Sequence, residues 1–259
     1  MSRPQSTSPT QCRVPHIGVA VAVAAWLFAL PFDATAQPAR VFVDVNGGTQ
    51  VSTTDFGDNV VFTEFVEQGD LNAAHAVASG PIIDVSGGVR LWRGLALGAG
   101  FTRFEGGHDA SVDARIPHPF FFDRHRPISG SAPNLTRQER AVHVNVRWFA
   151  PVPGPVQIAL FAGPSFFSVE QDLVTTVNIT QSFPFDTASF VSAETRRHSE
   201  SVTGYHVGAD AAFFFSRHIG LGGLVRFSRA SVDFVSEDGG LVPVDLGGVQ
   251  LSGGLRVRF

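Results

Sequence analysis

The chain has 259 residues and a formal charge of −4, and all nineteen of its basic residues are arginine. This charge argues against a nucleic-acid partner, because affinity for phosphate backbones depends on a surplus of basic groups. The single cysteine, Cys12, precedes the first apolar segment, so the chain beyond that segment contains neither disulfides nor thiol chemistry.

The N-terminal part of the chain has the order of a secretory signal peptide. Two arginines precede an uncharged segment, Ile17 to Phe32, and a small-residue cleavage site ends at Ala36. The apolar segment contains a proline and is shorter than the roughly 20 residues that a membrane-spanning helix needs. We therefore predict a cleaved, export-directing signal in residues 1–36 and a single mature domain in residues 37–259.

Apolar and polar residues alternate in eight segments of the mature domain. In VHVNVRW, for example, Val142, Val144 and Val146 share one side and His143 and Asn145 share the other. A period of two is typical of a β-strand with two unlike faces. The predicted strands are residues 40–53, 77–92, 95–112, 139–150, 156–170, 201–216, 219–235 and 245–259.

The connections between these predicted strands are alternately long and short. The long ones are residues 54–76, 113–138, 171–200 and 236–244, and the short ones are 93–94, 150–155 and 217–218. This order is typical of a barrel that has tight periplasmic turns at one end and long extracellular loops at the other. The sequence therefore predicts an all-β fold, an eight-stranded antiparallel up-and-down transmembrane β-barrel.

The two faces of the predicted strands differ in chemistry, with bulky apolar residues on the lipid side and small or charged residues on the lumen side. The predicted lumen charges are Asp44, Asp84, Arg90, Arg147, Asp210, Arg226, Arg256 and Arg258. Counted from the turns, Asp44, Arg90, Arg147 and Arg256 have similar depth, and Asp210 lies nearer the middle. Because an unpaired charge in a narrow barrel is costly, we predict an ion-pair network that plugs the lumen.

Catalytic and metal-binding motifs are weak. His143 and His206 face the predicted lumen, but no serine stands in a nucleophile motif beside them, so we interpret both as structural. His118, Asp123 and His125 lack the tight spacing of a metal site. The sequence therefore predicts no enzyme activity, no metal and no other cofactor.

Three consecutive phenylalanines, Phe120, Phe121 and Phe122, occupy the second long connection. They are expected to fold back on the barrel rim or to form an exposed apolar patch for an extracellular partner, and we prefer the rim. Phe183 and Phe185, in the third long connection, are expected to pack against them. At the other end, an aromatic girdle is predicted from Trp92, Trp148, Phe149, Phe213, Phe214 and Phe215.

The final strand carries the most specific motif. Ser252, Gly254, Val257 and Phe259 match a closing pattern of polar-x-Gly-x-x-apolar-x-aromatic. With the export signal and the eight alternating segments, this ending resembles the eight-stranded bacterial outer-membrane proteins of the OmpA/OmpX-like superfamily. The resemblance implies a barrel surrounded by outer-membrane lipid, with these four residues recognised by the barrel assembly machinery. It also implies a non-enzymatic role, structural or in surface interaction.

Three alternatives remain open at the level of sequence. The first is a small porin-like pore, in which the lumen arginines line a path for ions or small solutes. The second is a soluble secreted lipocalin-like β protein, which would place its apolar face inside and its charges outside. The third is a lipid-modifying outer-membrane enzyme that uses His143 or His206.

Overall fold

The computed structural model of the protein describes residues 40–51, 54–92, 94–235 and 240–259, so the predicted signal peptide lies outside the described residues. The described residues form ten β-strands: β1 (Val41–Val51), β2 (Thr54–Glu64), β3 (Glu67–Val77), β4 (Gly80–Arg90), β5 (Leu95–Pro117), β6 (His125–Phe149), β7 (Val156–Gln181), β8 (Ala188–Phe214), β9 (Ile219–Val235) and β10 (Leu241–Arg258). Within these ranges, no helix is long and apolar enough to cross a membrane.

Eight of the strands form a closed antiparallel ring. The pairing order is β5, β4, β1, β10, β9, β8, β7 and β6, and β6 pairs again with β5. The first and last strands of the ring, β1 and β10, pair from Phe42–Arg258 to Val51–Val249. The predicted eight-stranded antiparallel barrel is confirmed.

The two remaining strands, β2 and β3, form a hairpin within the first predicted long connection. Strand β3 continues the sheet on β5, from Asp70–Arg115 to His75–Ala110. The second and third long connections are also largely strand, because β5–β6 and β7–β8 continue to turns at residues 118–124 and 182–187. The predicted strands therefore ended too early, and this end of the molecule consists of extended hairpins.

The orientation of apolar residues inverts along the strands. Near the start of β5, Leu97 and Phe101 are exposed on the outer surface of the ring, whereas further along Val112 and Ile116 are buried inside and Asp113 is exposed. Strand β9 repeats this change, from exposed Leu221 and Val225 to buried Val232 and Phe234. An apolar exterior is stable in lipid and an apolar interior in water. The inversion marks the level at which the strands leave the hydrocarbon.

Exposed ion pairs lie at this level of inversion. They are Arg103–Glu105 at 3.3 Å, Arg140–Glu170 at 3.6 Å and Arg229–Asp245 at 3.2 Å. Beyond them, a buried apolar cluster joins Phe167, Leu173, Phe234, Val244 and Leu246. A second cluster lies under the β2–β3 hairpin and includes Leu71, Ala110, Val112, Ile116 and Leu135. The part of the barrel beyond the hydrocarbon therefore has the buried core of a water-soluble sheet.

Aromatic side chains surround the opposite end, where the turns are short. Exposed there are Trp92, Trp148, Phe213, Phe215 and Phe259. The girdle prediction was wrong for Phe149 and Phe214, which are buried because they lie on the inward phase of β6 and β8.

Candidate functional site

The layer of buried charge nearest the short turns consists of two carboxylates and two guanidiniums. Arg147 Nη1 donates to Asp44 Oδ2 at 2.6 Å, and Arg256 Nη2 donates to Asp210 Oδ2 at 2.5 Å. Arg256 Nε also lies 3.6 Å from Asp44 Oδ1. All four side chains are on inward positions and almost fully buried. Charge-assisted bonds of this kind are strong because water is excluded from both partners.

A second layer is organised around Asp84. Arg226 Nη2 donates to Asp84 Oδ2 at 2.8 Å and to Thr102 Oγ1 at 2.7 Å. Asn46 Nδ2 donates to Asp84 Oδ1 at 2.9 Å, and Asn46 Oδ1 accepts a bond of 2.5 Å from Arg256. Asn46 therefore links the second layer to the first.

A third layer contains Arg137 and Glu139, which sequence reasoning missed. Arg137 Nη2 lies 2.6 Å from Glu139 Oε1, and Glu139 Oε2 accepts from the backbone N–H of Gly247 at 3.1 Å. Gly247 has a φ of 86°, a conformation that residues with a side chain rarely adopt. The carbonyl of Gly247 accepts a hydrogen bond from Gln50 Nε2 at 2.9 Å. Gln50 Oε1 accepts from Gln250 at 2.7 Å, and Gln250 Oε1 accepts from the Arg226 guanidinium at 2.6 Å.

The structure thus brings six of the eight predicted lumen charges into one network of hydrogen bonds and ion pairs: Asp44, Asp84, Arg147, Asp210, Arg226 and Arg256. With Arg137 and Glu139, this network contains four carboxylates and four guanidiniums. Arg90 and Arg258 lie apart from it, at the short-turn end, because they are the last inward residues of β4 and β10. Their Cζ atoms stack 4.2 Å from the Phe149 ring centroid and 3.8 Å from that of Phe214.

Two buried histidines flank a buried serine beside the second layer. His143 Nδ1 and His206 Nδ1 lie 2.8 Å and 2.9 Å from Ser165 Oγ, and His143 Nε2 lies 3.1 Å from Thr102 Oγ1. A serine beside histidine has the elements of a nucleophile and its base. All of these side chains are buried, however, and the contacts join β5, β6, β7 and β8 across the interior. Ser165 carries no sequence motif that would have singled it out.

A further pair of histidines lies beyond the inversion level, outside the membrane-spanning part. His75 Nδ1 is 3.2 Å from His108 Nε2, and Phe56 stacks on His75 with ring centroids 4.6 Å apart. Burial, with a smaller contribution from His108, lowers the pKa of His75 to about 4. Among the residues described, no group of three or more His, Cys, Asp or Glu side chains is arranged to hold a metal ion.

Buried polar side chains fix the turns at the far ends of the extended hairpins. His118 Nδ1 accepts from the backbone N–H groups of Phe120 and Phe121 at 3.1 Å and 3.3 Å. Arg126 Nη1 donates to Gln181 Oε1 at 2.5 Å and to the carbonyl of Phe185 at 3.2 Å. Arg126 therefore connects the β5–β6 turn to the β7–β8 turn.

The turns themselves are apolar and exposed. Phe120, Phe121 and Phe122 lie beyond the end of β5, with Phe122 84% exposed. Phe120 and Phe185 are in edge-to-face contact at 5.5 Å, and Phe183 is exposed beside them. We call Phe65, Val66, Phe120, Phe121, Phe122, Phe183 and Phe185 the tip residues. The rim position that the sequence favoured for the three phenylalanines is wrong, because β5 and β6 extend well beyond the inversion level.

A cleft of about 510 Å³ lies between the β2–β3 turn and the β5–β6 turn. Apolar side chains of Val61, Val66 and Phe122 line it, and charged side chains of both signs, including Asp70 and Arg115, stand beside them. Glu67 accepts a hydrogen bond from the backbone N–H of Asp123, which joins the two turns. Its volume lies within the range of ligand-binding clefts, and most of its lining is polar or charged.

The four residues of the closing motif lie along the seam between β1 and β10. Ser252 and Gly254 occupy inward positions and Val257 and Phe259 outward ones, with Phe259 exposed. The backbone of Phe259 pairs with Val41 in both directions, at 2.9 Å and 3.2 Å. A Cβ atom on Gly254 would lie 1.9 Å from the carbonyl oxygen of Val45, so close approach of the strands requires glycine there.

No protein-family model matches the chain, and no curated protein matches its sequence. Solved structures match its fold. The outer membrane protease OmpT from Escherichia coli has a TM-score of 0.51 and 11% identity, covering 87% of this chain and 99% of that one. Neisserial surface protein A has a TM-score of 0.43 and 14% identity, covering 85% of this chain and 97% of that one. OprG from Pseudomonas aeruginosa has a TM-score of 0.44 and 9% identity, covering 88% of this chain and 99% of that one.

The closed ring, its apolar exterior and its buried charges define the chain as an outer-membrane β-barrel protein. Its barrel has eight strands, the number that the OmpA/OmpX-like resemblance predicted. A lipocalin-like protein would place its apolar residues inside and its charges outside along the whole barrel, whereas the strands near the short turns do the reverse.

Proposed function

We propose that the protein is a non-enzymatic surface-interaction barrel, with a lumen closed by its charge network and with tip residues that bind an extracellular protein partner. The observation that carries the proposal is backbone strain at the tips. Phe65, Val66 and Phe185 have φ values of 52°, 69° and 71°. A left-handed conformation costs an L-residue about 1–2 kcal/mol, which glycine avoids.

The strained tip residues gain little from the fold itself. Val66 is 94% exposed, so its side chain buries almost no apolar surface in exchange for an unfavourable backbone. Two-residue hairpin turns of this kind are normally Asn-Gly or Asp-Gly. Strain that local packing does not explain is a feature of binding sites, and contact with a partner supplies a reason for it.

Charges beside the tips favour a protein over a lipid surface. Arg115, Arg124 and His125 stand close to Asp70 and Asp186, and Arg124 Nη2 is 2.9 Å from Asp186 Oδ1. A membrane surface is anionic and attracts clusters of one sign, whereas a protein surface offers both signs and apolar pockets. We therefore propose that a peptide segment with apolar side chains occupies the cleft between the β2–β3 turn and the β5–β6 turn.

The proposed partner is tested with a phage-displayed random peptide library, selected against the protein in nanodiscs. We expect enriched peptides rich in apolar residues, with binding at least tenfold weaker to Phe122→Ser and to Val66→Ser. Val191→Ser, which removes an exposed valine of β8, is the matched control and should bind normally. Failure to enrich peptides, or equal binding to all variants, would contradict the proposal.

The closed lumen is supported by the burial and pairing of its charges. The network is neutral in formal charge, Asp84 is fully buried and Arg226 nearly so, and apolar clusters lie at both ends of it. An eight-stranded barrel is just wide enough for side chains to fill. The porin-like alternative requires these groups to line a water-filled path instead.

Single-channel recording of refolded residues 37–259 in a planar bilayer distinguishes these two states. We expect no conductance from folded protein, with folding verified by the heat-dependent shift on a denaturing gel. Discrete steps that change in Arg226→Gln would establish a path and contradict the closed lumen. Arg229→Gln, on the outer surface, is the control.

Two further parts of the proposal concern partners and catalysis. We propose that the outer-membrane assembly machinery binds the β1–β10 seam, where Val257 and Phe259 point outward.

We propose no catalytic role for His143 and His206, which are buried against Ser165. A lipid-modifying enzyme is contradicted if His206→Gln leaves the cell's lipid A unchanged.

A further inference from the structure

The short-turn end contains a cleft that the proposed function does not use. Its volume is about 350 Å³, and it lies between the turn at residues 150–155 and the ends of β4 and β10. Arg90, Trp148, Phe149, Gln157 and Arg258 are among its lining residues. Short turns are periplasmic in outer-membrane barrels, so we call this cleft the periplasmic mouth.

Arg90 and Arg258 converge on the periplasmic mouth with their guanidinium faces already occupied. Arg90 stacks on Phe149 and Arg258 stacks on Phe214, so the stacking fixes each guanidinium plane without using its N–H groups. Arg258 donates from Nε to the carbonyl of Arg217 at 3.0 Å and from Nη1 to Gln157 Oε1 at 3.5 Å, which leaves Nη2 for a ligand. In the described part of the chain, the Arg90 side chain donates no hydrogen bond to another protein group.

These two arginines differ from the four arginines of the lumen network. Arg137, Arg147, Arg226 and Arg256 each lie within 4 Å of a carboxylate oxygen. Among the residues described, Arg90 and Arg258 form no ion pair, and their charges repel each other. Two half-buried cations without a counter-ion are unfavourable, and an anion in the mouth would relieve this cost.

The surroundings of the mouth are basic. The three short turns, residues 91–94, 150–155 and 215–218, contain no aspartate or glutamate. Arg40 and Arg217 are exposed at the same end. Guanidinium edges match the paired oxygens of phosphate, so the charge and the geometry both favour an oxyanion.

We propose that the periplasmic mouth binds a phosphate ester through Arg90 and Arg258. Two sources share this chemistry, a phospholipid headgroup from the adjoining leaflet and a soluble periplasmic phosphate. Trp148 and Val156 line the same cleft and are also exposed on the apolar exterior, so the acyl chains of a bound lipid would lie against them. The volume suits a headgroup-sized ligand.

The test uses the refolded mature chain in zwitterionic detergent, titrated by calorimetry with inorganic phosphate, glycerol 3-phosphate and dihexanoylphosphatidylglycerol. We expect saturable binding that weakens at least tenfold in the double variant Arg90→Gln/Arg258→Gln. Arg229→Gln, an exposed arginine at the opposite boundary, is the matched control and should bind as the unmodified chain does. The heat-dependent gel shift verifies that each variant is folded.

The ligands separate the two sources. At least tenfold tighter binding of the short-chain lipid than of glycerol 3-phosphate identifies a lipid headgroup as the ligand. Equal binding of the two identifies a soluble phosphate. The proposal is overturned if none of the three ligands binds saturably, or if the folded double variant binds as tightly as the unmodified chain.

Discussion

Arg147 Nη1 and Asp44 Oδ2 lie 2.6 Å apart in the barrel interior, although 103 positions separate the two residues in the chain. Neither residue is more than 2% exposed. The Arg147 guanidinium also lies 4.5 Å from the ring centroid of Phe42. The contact joins β6 to β1 across the ring, so it forms only when the barrel closes.

Removing one partner of this pair should destabilise the barrel strongly. Arg147→Met leaves Asp44 buried with a single, longer contact to Arg256, and we expect a loss of about 3–5 kcal/mol in the free energy of unfolding. Urea titration of the protein refolded in lipid vesicles measures this loss. Arg103→Met removes one partner of an exposed pair and should cost less than about 1 kcal/mol. Similar losses in the two variants would show that the buried pair contributes no more to the free energy of unfolding than the exposed pair does.

Gly254→Ala should destabilise the β1–β10 seam. The new Cβ would lie 1.9 Å from the carbonyl oxygen of Val45, and overpacking of this kind costs about 1–3 kcal/mol. Gly47→Ala is the control, because a Cβ there meets no atom within 4 Å. Refolding into lipid without the assembly machinery measures the effect on strand packing alone, because nothing in that assay recognises the closing motif. If Gly254→Ala folds normally in this assay but fails in cells, recognition rather than packing requires the glycine.

Acid should weaken the extended hairpins through His75. Its pKa is about 4 in the folded protein and about 6.5 when unfolded, so the unfolded chain binds more protons between these values. The free energy of unfolding should therefore fall as the pH decreases from about 6.5 to 4, by about 1–3 kcal/mol from this residue. Urea midpoints at pH 7 and pH 4.5 measure the loss. His75→Phe should reduce it, and His218→Gln, at an exposed position, should not.

Relief of strain at the β2–β3 turn should separate stability from binding. Phe65→Asn/Val66→Gly places the residues preferred at positive φ on both turn positions, and we expect a gain of about 1–2 kcal/mol in stability. The same change removes two tip residues, so peptide binding should be lost. Thermal unfolding and peptide titration are measured on one preparation. A more stable variant with unchanged binding would exclude this turn from the partner site.

The part of the barrel between the short turns and the inversion level was predictable from the sequence, because the alternation of apolar and polar residues there follows directly from lipid outside and a narrow lumen inside. Lipid requires apolar residues on one face, and a narrow interior admits small or paired polar groups on the other, so Val144 and His143 identify their faces without any knowledge of the fold. The alternation of long and short connections then predicted eight strands. The comparison with OmpT supports this fold independently of the motif.

The parts of the strands beyond the inversion level were harder to predict, because their alternation of apolar and polar residues is inverted and weaker. Ala110, Val112, Ala114 and Ile116 alternate with polar residues in the same register as the lower part of β5, but here the apolar residues face inward. Arg137 and Glu139 share the inward phase of β6. Arg137 was missed because the segment before residue 139 was interpreted as a loop, and Glu139 was missed although it is the first residue of the predicted strand. Continuous alternation through the change in polarity was the available signal.

The sequence by itself determined which residues face inward, because side-chain direction in a strand depends only on position along that strand. The tertiary structure decided which inward residues meet. Counting from the turns grouped Arg90 with Asp44 and placed Asp210 nearer the middle, yet Asp210 pairs with Arg256 and Arg90 stacks on Phe149. Strand tilt and register around the closed ring determine the depth of each side chain, and both depend on pairing between distant segments.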